Sequence, residues 1–325
     1  MGGVNPISTS PLPTSRREPL PKPTGGNLAQ RRRRTGVLLV IPALVIMVGV
    51  ILYPIARSMV LSFQEAKLSA GEIGTAWAGG ENYRRMAEDE TFTLALRNSA
   101  FFTLSEVLLV LAIALGVALL LNTKAGRNPI YTTILLVPWV IAPVANAVLW
   151  KWILHANYGA LNALLAGLGI TDRYVNWLGT PGLALRMLLL ADVWKSVPFI
   201  ALILLAGLQN IPAALYKAAK LDGANIGQRF RYVTLPGLRT PLALAVVLQT
   251  IWSFKVFDLI FVLTKAGPAD ATLLLNFLAY RVSFNFLDFG YGAAIANIIF
   301  LIMFVLALVF IKLLKPGASR SRVQV

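Results

Sequence analysis

The sequence predicts an all-α membrane protein of six transmembrane helices with both termini in the cytoplasm, and three observations lead there. First, 57% of the 325 residues are hydrophobic and 14% are charged, with a mean hydropathy of +0.69, well away from the balance of soluble domains. Second, six apolar runs occur, at residues 36–63, 99–121, 130–150, 187–208, 241–263 and 291–311. At about 1.5 Å per residue each can cross a hydrocarbon core of about 30 Å, the longer ones with tilt. Third, the basic residues fall on one side of that pattern. The segments that six spans would leave on the side of the termini hold 18 Lys and Arg with only Glu18 and Asp222 as acids, whereas the opposite segments hold nine of each sign. This is the positive-inside asymmetry. The net charge of +16 is therefore accounted for by topology, which leaves nucleic acid without support as a partner.

Residues 1–34 are rich in Pro, Ser, Thr and Gly and end in Arg31 to Arg34, the composition of a disordered, basic cytoplasmic tail. Arg16-Arg17 is followed by Pro19, Pro21 and Pro23 rather than an apolar stretch, which argues against a twin-arginine export signal. The first span contains Pro42 and Pro54, which predict kinks. Trp139, Trp150, Trp152, Tyr158, Trp77 and Trp177 fit interfacial anchoring. Residues 82–98 and 158–168 are expected as short helices on the outer face. Residues 316–325 make a second cytoplasmic tail.

Residues 210–236 are the polar island of the chain, NIPAALYKAAKLDGANIGQRFRYVTLP. Asn210 can cap a helix that tolerates Pro212 in its first turn and continues through Ala213, Ala214, Ala218 and Ala219. Gly223 stops it. Ile226, Phe230 and Val233 then form an apolar stripe with Arg229 at its edge, Leu235-Pro236 ends that segment, and Pro241 opens the next span. Such a stripe either folds back on the spans or enters a groove of a soluble partner.

Six ionisable residues lie within the apolar runs: Arg57, Glu106, Asp192, Lys195, Lys255 and Asp258. Asp192/Lys195 and Lys255/Asp258 are i, i+3 pairs that can neutralise one another within a helix, or they can face a pathway. His155, the single histidine, has no metal-spaced partners, and the absence of cysteine removes thiolate chemistry. No metal site is expected. No G-x-x-x-x-G-K-[ST] loop is present, so the chain cannot supply ATP hydrolysis through one.

KAAKLDGANIGQRFRYVTLP resembles the EAA loop of permease subunits in binding-protein-dependent ATP-binding-cassette importers, with Ala218-Ala219, Asp222-Gly223-Ala224, Phe230 and Leu235-Pro236 at the family's spacing. Tyr53-Pro54 with Ser62-Phe63, Glu81-Asn82-Tyr83, residues 138–150, Tyr158-Gly159 with Asn162, Val256-Phe257-Asp258, Gly267-Pro268 and Phe289-Gly290-Tyr291 are similar to the sugar-uptake branch, in particular the larger permease of maltose-type systems. The resemblance spans residues 37–315 and excludes the first 30.

It implies a type I importer permease fold over residues 35–315, not an enzyme, in a bacterial or archaeal plasma membrane. The implied partners are a second six-span permease, two ATPase subunits that carry ATP and Mg, and an extracytoplasmic binding protein. The chain itself would bind no cofactor. Residues 210–236 become the ATPase-coupling loop, through Lys217, Ala218, Ala219, Asp222, Gly223, Ala224, Phe230, Leu235 and Pro236. Lys217 departs from the family, which usually has Glu there, so an ion pair from that acid to the ATPase is lost. A sugar pathway would use Asp192, Trp194, Lys195, Gln249, Trp252 and Ser253, with Lys255 and Asp258 beside them. Asn146 and Asn297 join that set, although a lone amide in a span is also common interhelical glue. A di- or oligosaccharide is expected, with glycerol phosphate compounds and polyols as alternatives. A secondary carrier or a membrane-embedded enzyme would leave the loop unexplained.

Overall fold

The computed structural model describes residue 2 and residues 25–69, 72–123 and 128–314. The expected tails over 1–34 and 316–325 lie mostly outside the described residues. The chain divides into two compact units at Ile55/Ala56.

In the first unit, helix α1 runs Gly25–Ile46 and passes into a π-helical segment, Met47–Leu52. The helix begins ahead of the apolar run, since Leu28, Ala29, Gln30 and the arginines are good helix formers. The wide turn lies just ahead of Pro54, which cannot donate a backbone hydrogen bond, and π-turns commonly absorb such a defect. Helix α2, Tyr53–Leu61, completes a candidate span of 27 residues, Thr35–Leu61.

The second unit begins within α2, at Ala56, and continues with an antiparallel hairpin, β1 (Gln64–Ser69) and β2 (Glu72–Trp77), in the register Gln64↔Trp77. An all-α chain was expected, and this hairpin corrects it. Phe63 stacks on Trp77 at 6.0 Å, closing its base. Helix α3 (Glu81–Glu88) is followed by α4 (Glu90–Leu121). Residues 82–98 are therefore not one short helix, because Asp89 breaks the path and caps α4 by accepting the Thr91 amide at 2.8 Å. Helix α7, Ala160–Gly167, does fall on residues 158–168.

Two expected spans are broken. Residues 130–150 divide into α5 (Pro129–Val140) and α6 (Pro143–Ile153), bent by 91°. Ala142 precedes Pro143 and is held extended, which ends α5 and starts α6. Residues 241–263 divide into α12 (Arg239–Phe254) and α13 (Asp258–Leu263). Among the described residues five helices are long and apolar enough to cross a membrane, or six if the bent pair is one span.

Helix α8 (Pro181–Gln209) is the centre of the bundle: 56% of its apolar window is buried, against 11% for the last helix, α15 (Phe289–Leu314). Ala95, Ala114 and Ala118 of α4, Ala184, Ala191 and Ala201 of α8 and Ala245 of α12 are fully buried, and such small side chains let helices approach closely without a hydrophobic drive in lipid. Short helix α14 (Leu275–Tyr280) covers the end of the bundle. Ser99 Oγ of α4 accepts the Leu275 amide at 2.9 Å, and Asn98 Nδ2 donates to the Leu273 carbonyl at 3.2 Å.

Several family-like residues prove to be structural. Asn82 Nδ2 donates to the carbonyls of Ser62 and Gln64 at 2.9 and 3.0 Å. Asn162 Oδ1 accepts from the Val175 amide and Trp177 Nε1, while its Nδ2 donates back to the Val175 carbonyl. Gly290 faces the hairpin so closely that a Cβ would lie 2.2 Å from the Gln64 carbonyl oxygen. Gly290→Ala is therefore expected to destabilise the folded chain by roughly 1–3 kcal/mol through overpacking, read as a lower thermal midpoint in detergent.

Asp89 also accepts the Tyr291 hydroxyl at 2.6 Å, tying α4 to α15. Burial disfavours its charge, yet the hydrogen bonds from Tyr291 and Thr91 outweigh that and hold the carboxyl below its usual range. A depressed folded value contributes stability above the unfolded value of about 3.9, lost as pH falls through the folded one. Asp89→Asn is expected to remove that acid-side loss, measured as thermal midpoint against pH between about 5 and 3.

Candidate substrate pathway and coupling loop

The two helix breaks meet at one cavity of about 320 Å³. Trp139 comes from the end of α5, Pro143 and Asn146 from α6, Asp192, Lys195 and Ser196 from α8, Trp252 from α12, and residues 255–259 from the second break and the start of α13. Six of the expected pathway residues line it together: Asn146, Asp192, Lys195, Trp252, Lys255 and Asp258. Trp139 and Trp252 line it, and both rings meet Phe199, at 4.8 and 5.3 Å, which is not itself a lining residue.

Neither i, i+3 pair forms an ion pair among the described residues. Lys255 ends one helix and Asp258 begins the next, so the helical spacing that would join them is absent. Lys195 instead donates through Nζ to the Trp139 carbonyl at 3.4 Å, across to the end of α5. The cavity thus presents two cationic and two acidic side chains without mutual pairing. Asn146 is buried, yet its Oδ1 has no hydrogen-bond partner, which argues against its being interhelical glue.

Four expected pathway residues lie elsewhere. Trp194 packs edge-on to Trp150 at 5.9 Å and lines a separate apolar groove with Ile113, Pro138 and Val197. Gln249 and Ser253 are buried behind the wall rather than in it. Asn297 donates to the Ser58 carbonyl at 3.4 Å and ties α15 to the end of α2. Sequence reasoning also missed members: Ser196 was passed over, and Trp139, read as an interfacial anchor, lines the cavity. Its signal was Pro138 beside it and Pro143 just after. His155 stacks on Tyr158 at 3.5 Å, with Nδ1 accepting the Asn157 amide.

Residues 210–236 form two arms. Helix α9 (Ala213–Leu221) ends at Gly223, whose φ of +79° is the left-handed turn that favours glycine. Asn210 does not cap this helix: it closes α8, and Pro212 precedes α9 without a side-chain cap. Asn225 and Gln228 form a reciprocal capping box that starts α10 (Ile226–Arg229). The path continues through a wide turn, Phe230–Thr234, into α11 (Leu235–Gly237), so Leu235-Pro236 lies inside the helical path rather than ending it. Pro236 brings no backbone donor, and the wide turn just ahead of it absorbs that defect. Tyr216 and Thr234 hydroxyls meet at 3.0 Å between the arms.

The stripe does not fold back as a unit. Phe230 and Val233 are half-buried, but Ile226 is 78% exposed, as are Leu221 at 89% and Tyr232 at 70%. Lys217, Ala218, Asp222, Gly223, Leu235 and Pro236 are exposed, and Ala219 and Ala224 half-buried. Large exposed apolar side chains are thus concentrated on this segment, more than scattered surface hydrophobics would be.

Residues 124–320 match the family described as the binding-protein-dependent transport system inner membrane component. The chain is 35% identical to the trehalose/maltose transport system permease protein MalF of Thermococcus litoralis, over 88% of this chain and 95% of that relative. It is 33% identical to the sulfoquinovosyl glycerol transport system permease protein SmoG of Agrobacterium fabrum, over 87% and 91%. Its fold is similar to a bacterial ABC transporter involved in import of the acidic polysaccharide alginate, with a TM-score of 0.76 at 21% identity, covering 88% of this chain and 98% of that one. A second structure of an alginate transporter, in complex with an alginate pentasaccharide-bound periplasmic protein, aligns with a TM-score of 0.77 at 20% identity over 89% and 98%.

Because the Asn146 carbonyl oxygen has no partner to lose, Asn146→Leu is expected to leave stability within about 0.5 kcal/mol of the parent or to raise it. Thermal unfolding in detergent checks this, and a clear drop would return Asn146 to a bonding role between helices.

Proposed function

We propose, from the premise that this chain belongs to the family of binding-protein-dependent transport system inner membrane components, that it forms half of the translocation pathway of an ATP-driven carbohydrate importer. It is a permease subunit and not an enzyme, as its relatives are. The observation that carries the proposal is the cavity: aromatic faces beside a few polar and charged groups, set where two broken helices meet, is how membrane carriers hold a polar solute. One relative is named for trehalose/maltose transport, which favours a di- or oligosaccharide here.

The rest of the assembly follows the family reading. A second six-span permease completes the pathway, an extracytoplasmic binding protein delivers the substrate, and two ATPase subunits carry ATP and Mg. Residues 35–315 make six spans, the bent α5–α6 pair counting as one, with both termini cytoplasmic in a bacterial or archaeal plasma membrane. Residues 210–236 dock into the ATPase through exposed Leu221 and Ile226, with Ala218, Ala219 and Asp222 around them. Lys217 then meets a groove matched to a base, or docking rests on the apolar contacts and Asp222.

The test is uptake by the reconstituted importer across a panel of disaccharides, oligosaccharides, glycerol phosphate compounds and polyols. Uptake confined to the last two classes would replace the sugar assignment, and uptake by this chain without an ATPase would refute the importer. Gly223→Val forces a β-branched residue into a left-handed turn at a cost of about 1–2 kcal/mol, re-aiming the two arms. It is expected to abolish uptake while leaving the chain inserted and paired with the second permease. Normal uptake by that variant would remove residues 210–236 from the coupling role.

A further inference from the structure

Behind the cavity wall lies a carboxyl group that the transport reading leaves without a task. Glu106 of α4 has no solvent exposure and shares its buried helix face with Phe102, Val107 and Val110. A carboxyl group placed there is costly unless hydrogen bonds compensate. Its partners come from two other helices, and Asp192 of α8 stands within hydrogen-bonding reach of it as well. Gln249 Nε2 of α12 donates to Glu106 Oε1 at 2.6 Å, and Ser196 Oγ of α8 donates to the same oxygen at 3.5 Å. Gln249 is also fully buried and its Oε1 has no partner, so Glu106 provides the only hydrogen bond of that amide among the described residues.

Both partners adjoin the cavity. Ser196 lines it, next to Lys195 and one turn beyond Asp192. Gln249 stands one turn before Trp252 and Ser253, on the helix whose end forms the second break. A leucine at position 106 would fill similar volume without any desolvation cost, and buried polar groups are often neutral or unfavourable for stability compared with such replacements. What leucine cannot do is hold two other helices by directional bonds to one oxygen.

We infer that Glu106 is a positioning residue for the pathway: through Gln249 and Ser196 it fixes α12 and α8 against α4 and so sets the polar wall of the cavity. The inference rests on the proposal that this cavity is the pathway. It adds a residue that touches no substrate and sits outside the expected pathway set.

The chain has no cysteine, so a single Val256→Cys on the cavity wall reports that wall's geometry. Membranes containing the full-length chain are labelled with N-ethylmaleimide, and initial labelling rates are compared after purification. Glu106→Leu is expected to change the rate by about tenfold, the size set by losing a hydrogen bond to a carboxyl group. Glu106→Gln keeps an acceptor for Gln249, and Glu106→Gln combined with Gln249→Glu keeps the bond with its ends exchanged, so both are expected to label as the parent does. Val110→Ala, a packing loss on the same helix, is the control. If Glu106→Leu does not insert, Gln249→Leu breaks the same bond from α12 and is expected to give the shift. An unchanged rate in the variant that breaks the bond, a shift equal to that of Val110→Ala, or an exchanged pair that labels like Glu106→Leu would each overturn the inference. Failure of every carbohydrate in the uptake panel would count against the pathway assignment alone, because the labelling rates need no substrate.

Discussion

A chain within hydrocarbon must satisfy its own backbone donors and acceptors, so a spanning helix breaks only where other groups take over the freed positions. Asn276 supplies one such group: its Nδ2 donates to the Phe254 carbonyl at 2.6 Å, at the point where α12 stops. The other break, between Val140 and Pro143, uses proline, which has no donor to satisfy. The cavity exists because these two interruptions face each other, with α13 against α6. Without the Asn276 bond the second interruption would leave a carbonyl unpaired beside it, and Lys255 and Asp258 would share one helix face rather than flank an opening.

The same geometry links the cavity to the polar island. Helices α8 and α12 carry Asp192, Lys195, Ser196 and Trp252, and residues 210–238 are the segment that joins them. A partner acting on that segment acts on both walls through covalent continuity, with no chain of side-chain contacts required. The surface offered is apolar at its tip, where Leu221 and Ile226 flank Gly223. It is basic around that tip, with Lys217, Lys220 and Arg231 exposed.

Much of this was legible in the sequence. Hydropathy located the long helices, and Gly223 announced its turn. Six residues named from the sequence line the cavity, most of them because polar groups in apolar runs are rare enough to stand out. What was not legible depended on tertiary partners. Nothing between Ser253 and Asp258 is proline or glycine, so the break after Phe254 carries no local signal, and the group that takes up the freed Phe254 carbonyl, Asn276, lies 22 residues away. The i, i+3 rule failed at Lys255 and Asp258 for that reason, and at Asp192 and Lys195 because Lys195 reaches the Trp139 carbonyl instead. Asn82, Asn162 and Gly290 were read as family-like positions, and their physical role as clamps on neighbouring backbone appeared only in three dimensions. The hairpin over residues 64–77 was missed since it alternates weakly and is pinned by Asn82 and Gly290 from outside itself.

The Tyr216 to Thr234 contact gives the two arms a further property. Thr234 is buried at the base of its arm, and its hydroxyl meets the phenol of the opposite arm near the point where both leave the bundle. Two arms joined at a tip and again near the base make a triangulated strut. A single loop bends freely under a load, whereas arms held at a second point resist being parted by the worth of that hydrogen bond, about 1 kcal/mol. A load applied at the Gly223 tip would then be shared by both arms, so that α8 and α12 would feel it together.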